Sequence, residues 1–101
     1  FPDLHAGRSE TSLILHLYPH LVKMDHAKPD FAPSQGREFL DYVGMAGVSP
    51  HGAWGAPSQA SPEEGERILA EATRRTVAYL RATFAELDRI AKERGWPAPE
   101  A

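Results

Sequence analysis

The stretch Asp3-Leu4-His5-Ala6-Gly7-Arg8-Ser9-Glu10-Thr11-Ser12 runs directly into the apolar segment Leu13-Ile14-Leu15. It places an imidazole, a glycine turn and a carboxylate at the mouth of a helix. Ser9 stands where an N-cap is expected, with Glu10-Thr11-Ser12 as the first helical turn. Unpaired backbone amides and the positive end of the helix dipole meet there and favour negative charge. An ionised carboxylate is in turn a good ligand for a divalent cation. Gly7 lets the chain turn sharply and keeps side-chain bulk out of a pocket. His5, outside the helix, is placed to ligate a metal or to shuttle protons near neutral pH. The same residues also admit a plainer reading, in which Ser9 and Glu10 cap a helix and His5 lies on the surface.

Outward from this stretch, the entering loop runs from Phe1 to Arg8, and a short motif helix is expected over 9–18. Leu13, Ile14 and Leu17 make its apolar face, widened by Leu15 and Tyr18. A helix apolar on most sides is normally buried between other elements, so a partner sheet is implied. Pro19 ends the helix and spoils the four-residue spacing of His16 and His20 as a metal pair. Leu21 to Met24 reads as a helical turn or an edge strand. Asp25-His26 reads as a solvated turn, because adjacent residues on an extended chain point oppositely. Residues 28–60 form a loop-rich segment punctuated by Pro29, Pro33, Gly36, Gly44 and Gly47. Within it, Arg37 to Tyr42 is expected to make a helical turn and Val48 to start a short strand or extended loop. His51 and Trp54 sit in a Gly/Pro-framed loop, where Trp54 either lines a binding site or buries in a neighbouring subunit.

The last element is a long amphipathic helix over 61–95. Ser61 is its N-cap, Pro62 occupies the first helical position and Glu64 completes a capping box. Leu69, Thr73, Val77, Leu80, Phe84 and Leu87 recur at three- and four-residue steps. Gly95 supplies the stop, with Pro97 and Pro99 beyond it. At 1.5 Å per residue the helix would be roughly 50 Å long. Arg74, Arg75 and Arg81 read as its solvated face.

The formal net charge of -3 argues against nucleic acid as the main partner, since phosphate binding needs a basic face. The absence of cysteine removes disulfide and thiolate chemistry and suits a cytoplasmic setting. No apolar run approaches the roughly 20 residues of a membrane span.

Asp3, His5, Ala6, Gly7, Glu10, Thr11 and Ser12, followed by an apolar helix and by Pro19, Leu21 and Val22, resemble the second half of the creatininase family of metal-dependent amidohydrolases. A later segment, Gly47-Val48-Ser49-Pro50-His51-Gly52-Ala53-Trp54-Gly55-Ala56-Pro57 with Ala60 and Gly65, is similar to the family's late loop. Members often carry Asp where this chain has Ala56, which puts a charged role for the loop in doubt. Leu13 to Leu17 and the loop from Val48 to Pro57 lean toward the mycofactocin-maturation peptidase branch of the family. The resemblance implies the C-terminal portion, over 1–101, of a single domain with a three-layer α/β/α fold, mostly helical in this part.

It also implies a hydrolase acting on a C–N bond of an amide, cyclic amide or peptide. Glu10 would be a metal ligand, His5 the catalytic acid/base, and Zn, Mn or Fe the divalent cofactor. Members are typically more than twice as long. Their earlier half carries an acidic-x-His pair, a bridging Asp and a Gly-His-Gly-Gly-Asn type turn, and that half has no counterpart here. The chain is therefore expected to be incomplete and inactive alone, with the missing N-terminal half and a homo-oligomer among its partners. The competing reading is a non-enzymatic helical interaction module that uses the long C-terminal helix.

Overall fold

The structure, a computed structural model, describes residues 2–97. Phe1 and Pro99 lie outside the described residues. The chain divides into two compact units, Phe1–Leu69 and Ala70–Ala101. Among the described residues there are three α-helices: α1 (Arg8–Leu17), α2 (Leu40–Val48) and α3 (Pro62–Arg94). Single 3-10 turns at Pro19–Leu21, Met24–His26, Arg37–Phe39 and Pro57–Gln59 link them. Among the described residues there is no strand. The sheet-like contacts are two isolated antiparallel bridges, His5 with Trp54 and Phe31 with Gly55.

In the first unit the chain segment at Trp54-Gly55 is the hub. Trp54 exchanges backbone hydrogen bonds with His5, and Gly55 with Phe31, at 2.8 to 3.1 Å. This residue pair therefore runs between two other stretches of backbone. Trp54 is 7 % exposed, so its ring is buried within its own chain and offers little surface to a ligand or a neighbouring subunit. Ala56 and Pro57 beside it are buried, as are Val48 and Ser49 at the end of α2. The Ser49 hydroxyl donates to the Ala53 carbonyl at 2.6 Å and closes that loop. Asp30 accepts from the amide and hydroxyl of Ser58, at 2.9 and 2.5 Å, and so ties the 28–36 segment to the 3-10 turn at Pro57.

Where α1 meets the start of α3, the two backbones touch. A Cβ built on Gly65 would fall 2.5 Å from the Ser12 carbonyl carbon and 2.9 Å from His16 Cβ. Ser12 is completely buried and its hydroxyl accepts from the Ser61 amide at 3.1 Å. Glycine at 65 permits this contact because any side chain would occupy the space of the α1 backbone. The apolar side chains of α1 remain largely uncovered in this unit: Ile14 is 40 % and Leu17 45 % exposed.

Several local expectations are corrected. The N-cap of α1 is Gly7, not Ser9, and the helix starts at Arg8, because Asp3 already satisfies the amides of Arg8 and Ser9. Val48 closes α2 rather than opening a strand. The helical turn expected over Arg37 to Tyr42 is present, and Gly44, with φ 67° and ψ 179°, interrupts α2 there before a further short turn to Val48. Asp25 and His26 form the solvated turn expected of them, a 3-10 turn with both side chains exposed, and within it they lie 3.4 Å apart. The capping box at α3 is half formed. Ser61 Oγ accepts from the Glu64 amide at 3.2 Å, but the Glu64 carboxylate pairs with Arg8 at 2.6 Å instead of returning to Ser61.

The second unit consists of the later part of α3 and its exit. The helix ends in a Schellman arrangement: Gly95, at φ 66°, donates to the Lys92 carbonyl, and Trp96 donates to that of Ala91. Val77, Leu80, Phe84 and Leu87 are between 39 % and 60 % exposed. Arg74 and Arg75 lie on the solvated side and both pair with Glu71.

Candidate active site

His5 and Glu10 flank one turn. His5 is fixed through its backbone: its amide donates to the Trp54 carbonyl at 3.1 Å, and the Trp54 amide donates to the His5 carbonyl at 2.8 Å. Its imidazole is exposed. Ala6 follows with φ 50°, a left-handed conformation that is uncommon for a residue with a side chain. Gly7 then leads into α1. Glu10, in the first turn of that helix, curls back and accepts the amide of Ala6. A helix N-terminus leaves such amides free and favours a carboxylate beside them.

Both side chains line a single open cleft of about 400 Å³. Ala6 and Thr11 also line it, Ile14, Leu21 and Val22 supply an apolar wall, and Lys23 contributes an ammonium group. Such a cleft can seat an apolar group while presenting an imidazole, a carboxylate and a cation to a polar one. His16 is half-buried on α1, and His20 is exposed, standing edge-on to Tyr18 at 6.4 Å. Neither lines the cleft.

An imidazole and a carboxylate are donor types that mixed-ligand centres of Zn, Mn or Fe employ. His5 and Glu10 therefore fit such an ion as part of a donor set. Among the described residues, no group of three or more His, Asp or Glu side chains gathers to hold one.

Asp3 was matched in the family resemblance but given no role, yet it organises the turn. Its two oxygens accept the amides of Arg8 and Ser9, each at 2.8 Å. Partial burial pushes its carboxyl up, but hydrogen bonds from the Ser9 hydroxyl and the two amides, with the Arg8 charge, outweigh this and hold it below 3.8. The available signal was an acidic residue shortly before a glycine at a helix start. Ser9, a good N-cap type, masked it. The Trp54 backbone contact carried no local signal, since its partner lies near the other end of the unit.

The family model for creatininase, described as creatinine amidohydrolase, matches residues 2–80. The chain belongs to the creatininase family. It is 42 % identical over 76 residues to a mycofactocin precursor peptide peptidase of Mycobacterium ulcerans (strain Agy99), a match covering 68 % of this chain and 28 % of that protein. It is 41 % identical over 71 residues to the protein of the same name from Mycolicibacterium smegmatis (strain ATCC 700084 / mc(2)155), covering 68 % and 29 %. The chain thus spans under a third of the length of these relatives. No solved structure gives a significant match. No helix among the described residues is long and apolar enough to cross a membrane.

Proposed function

We propose that this chain is part of a metal-dependent hydrolase that cleaves a C–N bond, with a peptide as the preferred substrate. The observation that carries this reading is the convergence of His5 and Glu10 on one cleft, within residues matched by the creatininase model. The peptide preference draws on the names of the relatives and on the cleft's apolar wall. Amide hydrolysis adds water across the carbonyl, breaks the C–N bond and sends a proton to the departing nitrogen. Zn, Mn or Fe, when bound, supplies Lewis acidity and a more acidic water. Glu10 offers its carboxylate as one ligand. His5 holds the proton and passes it to the leaving nitrogen, a task suited to an imidazole near neutral pH. Ile14, Leu21 and Val22 keep that end of the cleft apolar.

The remaining donors would come from a further segment of the same protein, assembled with this one into a three-layer α/β/α domain. A cytoplasmic homo-oligomer is the form expected.

The test uses the protein purified from its source. Intact mass and metal content are measured on one sample, together with hydrolysis of a peptide amide. Glu10→Gln is expected to lower metal content. His5→Ala is expected to retain the metal and lose turnover by about 10²- to 10⁴-fold. Wild-type metal content and turnover in both variants would overturn the assignment.

A second reading has its own observation. The exposure of Val77, Leu80, Phe84 and Leu87 gives α3 an uncovered apolar face, which suits a helical interaction module. A folded, metal-free and hydrolytically silent protein would favour it.

A further inference from the structure

We propose that Asp3 is a positioning residue that locks the Ala6-Gly7 turn and thereby fixes where His5 and Glu10 stand. The inference rests on the roles proposed above for those two side chains. Its mechanical part rests on geometry alone.

The carboxylate takes two different amides, one on each oxygen: Arg8 on Oδ1 and Ser9 on Oδ2. A single acceptor would leave the helix free to swivel about one bond. Two acceptors on a rigid planar group fix both the distance and the direction of the first turn of α1. Between Asp3 and that turn lies Ala6, held at φ 50°. A non-glycine residue stays in such a conformation only where its surroundings over-determine it. Here they do so from both sides. On one side the His5 backbone is bonded to Trp54, and on the other Asp3 holds the start of α1 through the Arg8 and Ser9 amides. If Asp3 lets go, Ala6 can relax, and the imidazole and carboxylate on either side of it move with it.

The space Asp3 occupies is made for it. A Cβ on Gly7 would fall 2.9 Å from Asp3 Cγ and 2.9 Å from Gly55 Cα, and one on Gly55 would fall 2.6 Å from Gly7 Cα. Glycine on both sides lets the carboxylate lie over the turn. Asp3 is absent from the lining of the His5/Glu10 cleft. It faces a separate cleft of about 310 Å³ with Arg8 and Glu64. It therefore acts through the turn and does not touch what the first cleft holds.

The experiment compares wild type, Asp3→Ala, Asp3→Asn, Glu10→Gln and the double variant Asp3→Ala/Glu10→Gln in the protein purified whole. Zinc affinity of metal-stripped protein is measured by calorimetry, the His5 imidazole resonances by NMR with labelled histidine, and melting temperature in parallel. Asp3→Ala is expected to weaken zinc binding about tenfold or more, as loss of a group that orients a ligand does, and to shift the His5 signals. Asp3→Asn, which keeps one carbonyl acceptor, should fall between. In the Glu10→Gln background, Asp3→Ala should add no further loss.

A lowered melting temperature with unchanged zinc affinity and unchanged His5 signals would reduce Asp3 to a simple helix cap and overturn the proposal. If Glu10→Gln itself leaves zinc binding unchanged, the metal role of Glu10 is wrong. The His5 signals then decide on Asp3 alone: a shift upholds the clamp and no shift removes it. Should Asp3→Ala not fold, the same readings on Asp3→Asn decide.

Discussion

In the unit Phe1–Leu69 the bonds that define the shape join residues far apart in sequence. In Ala70–Ala101 every side-chain ion pair among the described residues joins positions three or four apart. The first set includes His5 with Trp54, Phe31 with Gly55, Asp30 with Ser58, Ser12 with Ser61 and Arg8 with Glu64. The second set is Glu71 with Arg74 and Arg75, and Arg89 with Glu86 and Glu93. Distant contacts fix a geometry in space, which a pair of reactive side chains requires. Pairs along one helix reinforce only that helix, and each is worth a few tenths of a kcal/mol. The candidate site accordingly lies in the first unit, and the difference between the units can be tested by substitution.

The largest effect is expected at the hub. Trp54→Ala removes the largest buried side chain of the first unit and should cost about 3–5 kcal/mol, read from the urea midpoint. A loss below about 1 kcal/mol would mean that the ring does not hold that unit together.

Next comes a matched pair of small changes. Gly65→Ala adds a methyl group against the Ser12 backbone, which cannot shift without moving α1, and should cost about 1–3 kcal/mol. Ala82→Gly, at an exposed position of the same helix, should cost about 1 kcal/mol through helix propensity alone. The contrast sharpens if the zinc affinity and His5 signals move with the first substitution and not with the second. It breaks if Gly65→Ala is neutral.

What the sequence disclosed follows the same division. The α3 boundaries were legible because each depends on neighbours: Ser61 and Pro62 at the start, Gly95 in left-handed conformation at the end. The end of α1 before Pro19 was legible for the same reason. Gly44 was legible as a break in the helical turn that precedes it, whereas the short turn beyond it, up to Val48, was obscured because Gly47 reads as a second breaker. Trp54 is buried within its own chain, where a binding site or a neighbouring subunit was expected to receive it, and its backbone pairing with His5 is a contact without local signature. His5 and Glu10 stood out as a motif, and the structure places both on one cleft. Asp3, which orders the turn between them, was matched in the motif but given no role, because its carboxylate reaches past Gly7 to the amides of Arg8 and Ser9, ahead of the helix start that Ser9 marks as an N-cap candidate.

The smallest effect concerns the second unit and has a definite sign with pH. Glu71 is pulled down from 4.5 to about 2, first by the Arg74 guanidinium hydrogen bond and then by that of Arg75. Glu86 is lowered by Arg89. A carboxyl held lower in the folded state than in the unfolded one stabilises above the unfolded value and loses that stabilisation as pH falls through the folded value. For Glu71 the window is therefore from about 4.5 down to about 2. Both side chains are about half exposed, 46 % for Glu71 and 55 % for Glu86, so solvent and salt screen the pairing and the gain is small.

Glu71→Gln should lower the melting temperature slightly at pH 7, followed by circular dichroism at 222 nm. The gap to wild type should close toward pH 2 and in 1 M salt. A gap that persists at pH 2 would show that Glu71 acts through packing or propensity. The second unit would then depend on something other than its own charge pairs, and the contrast with the first would fail where it is now simplest.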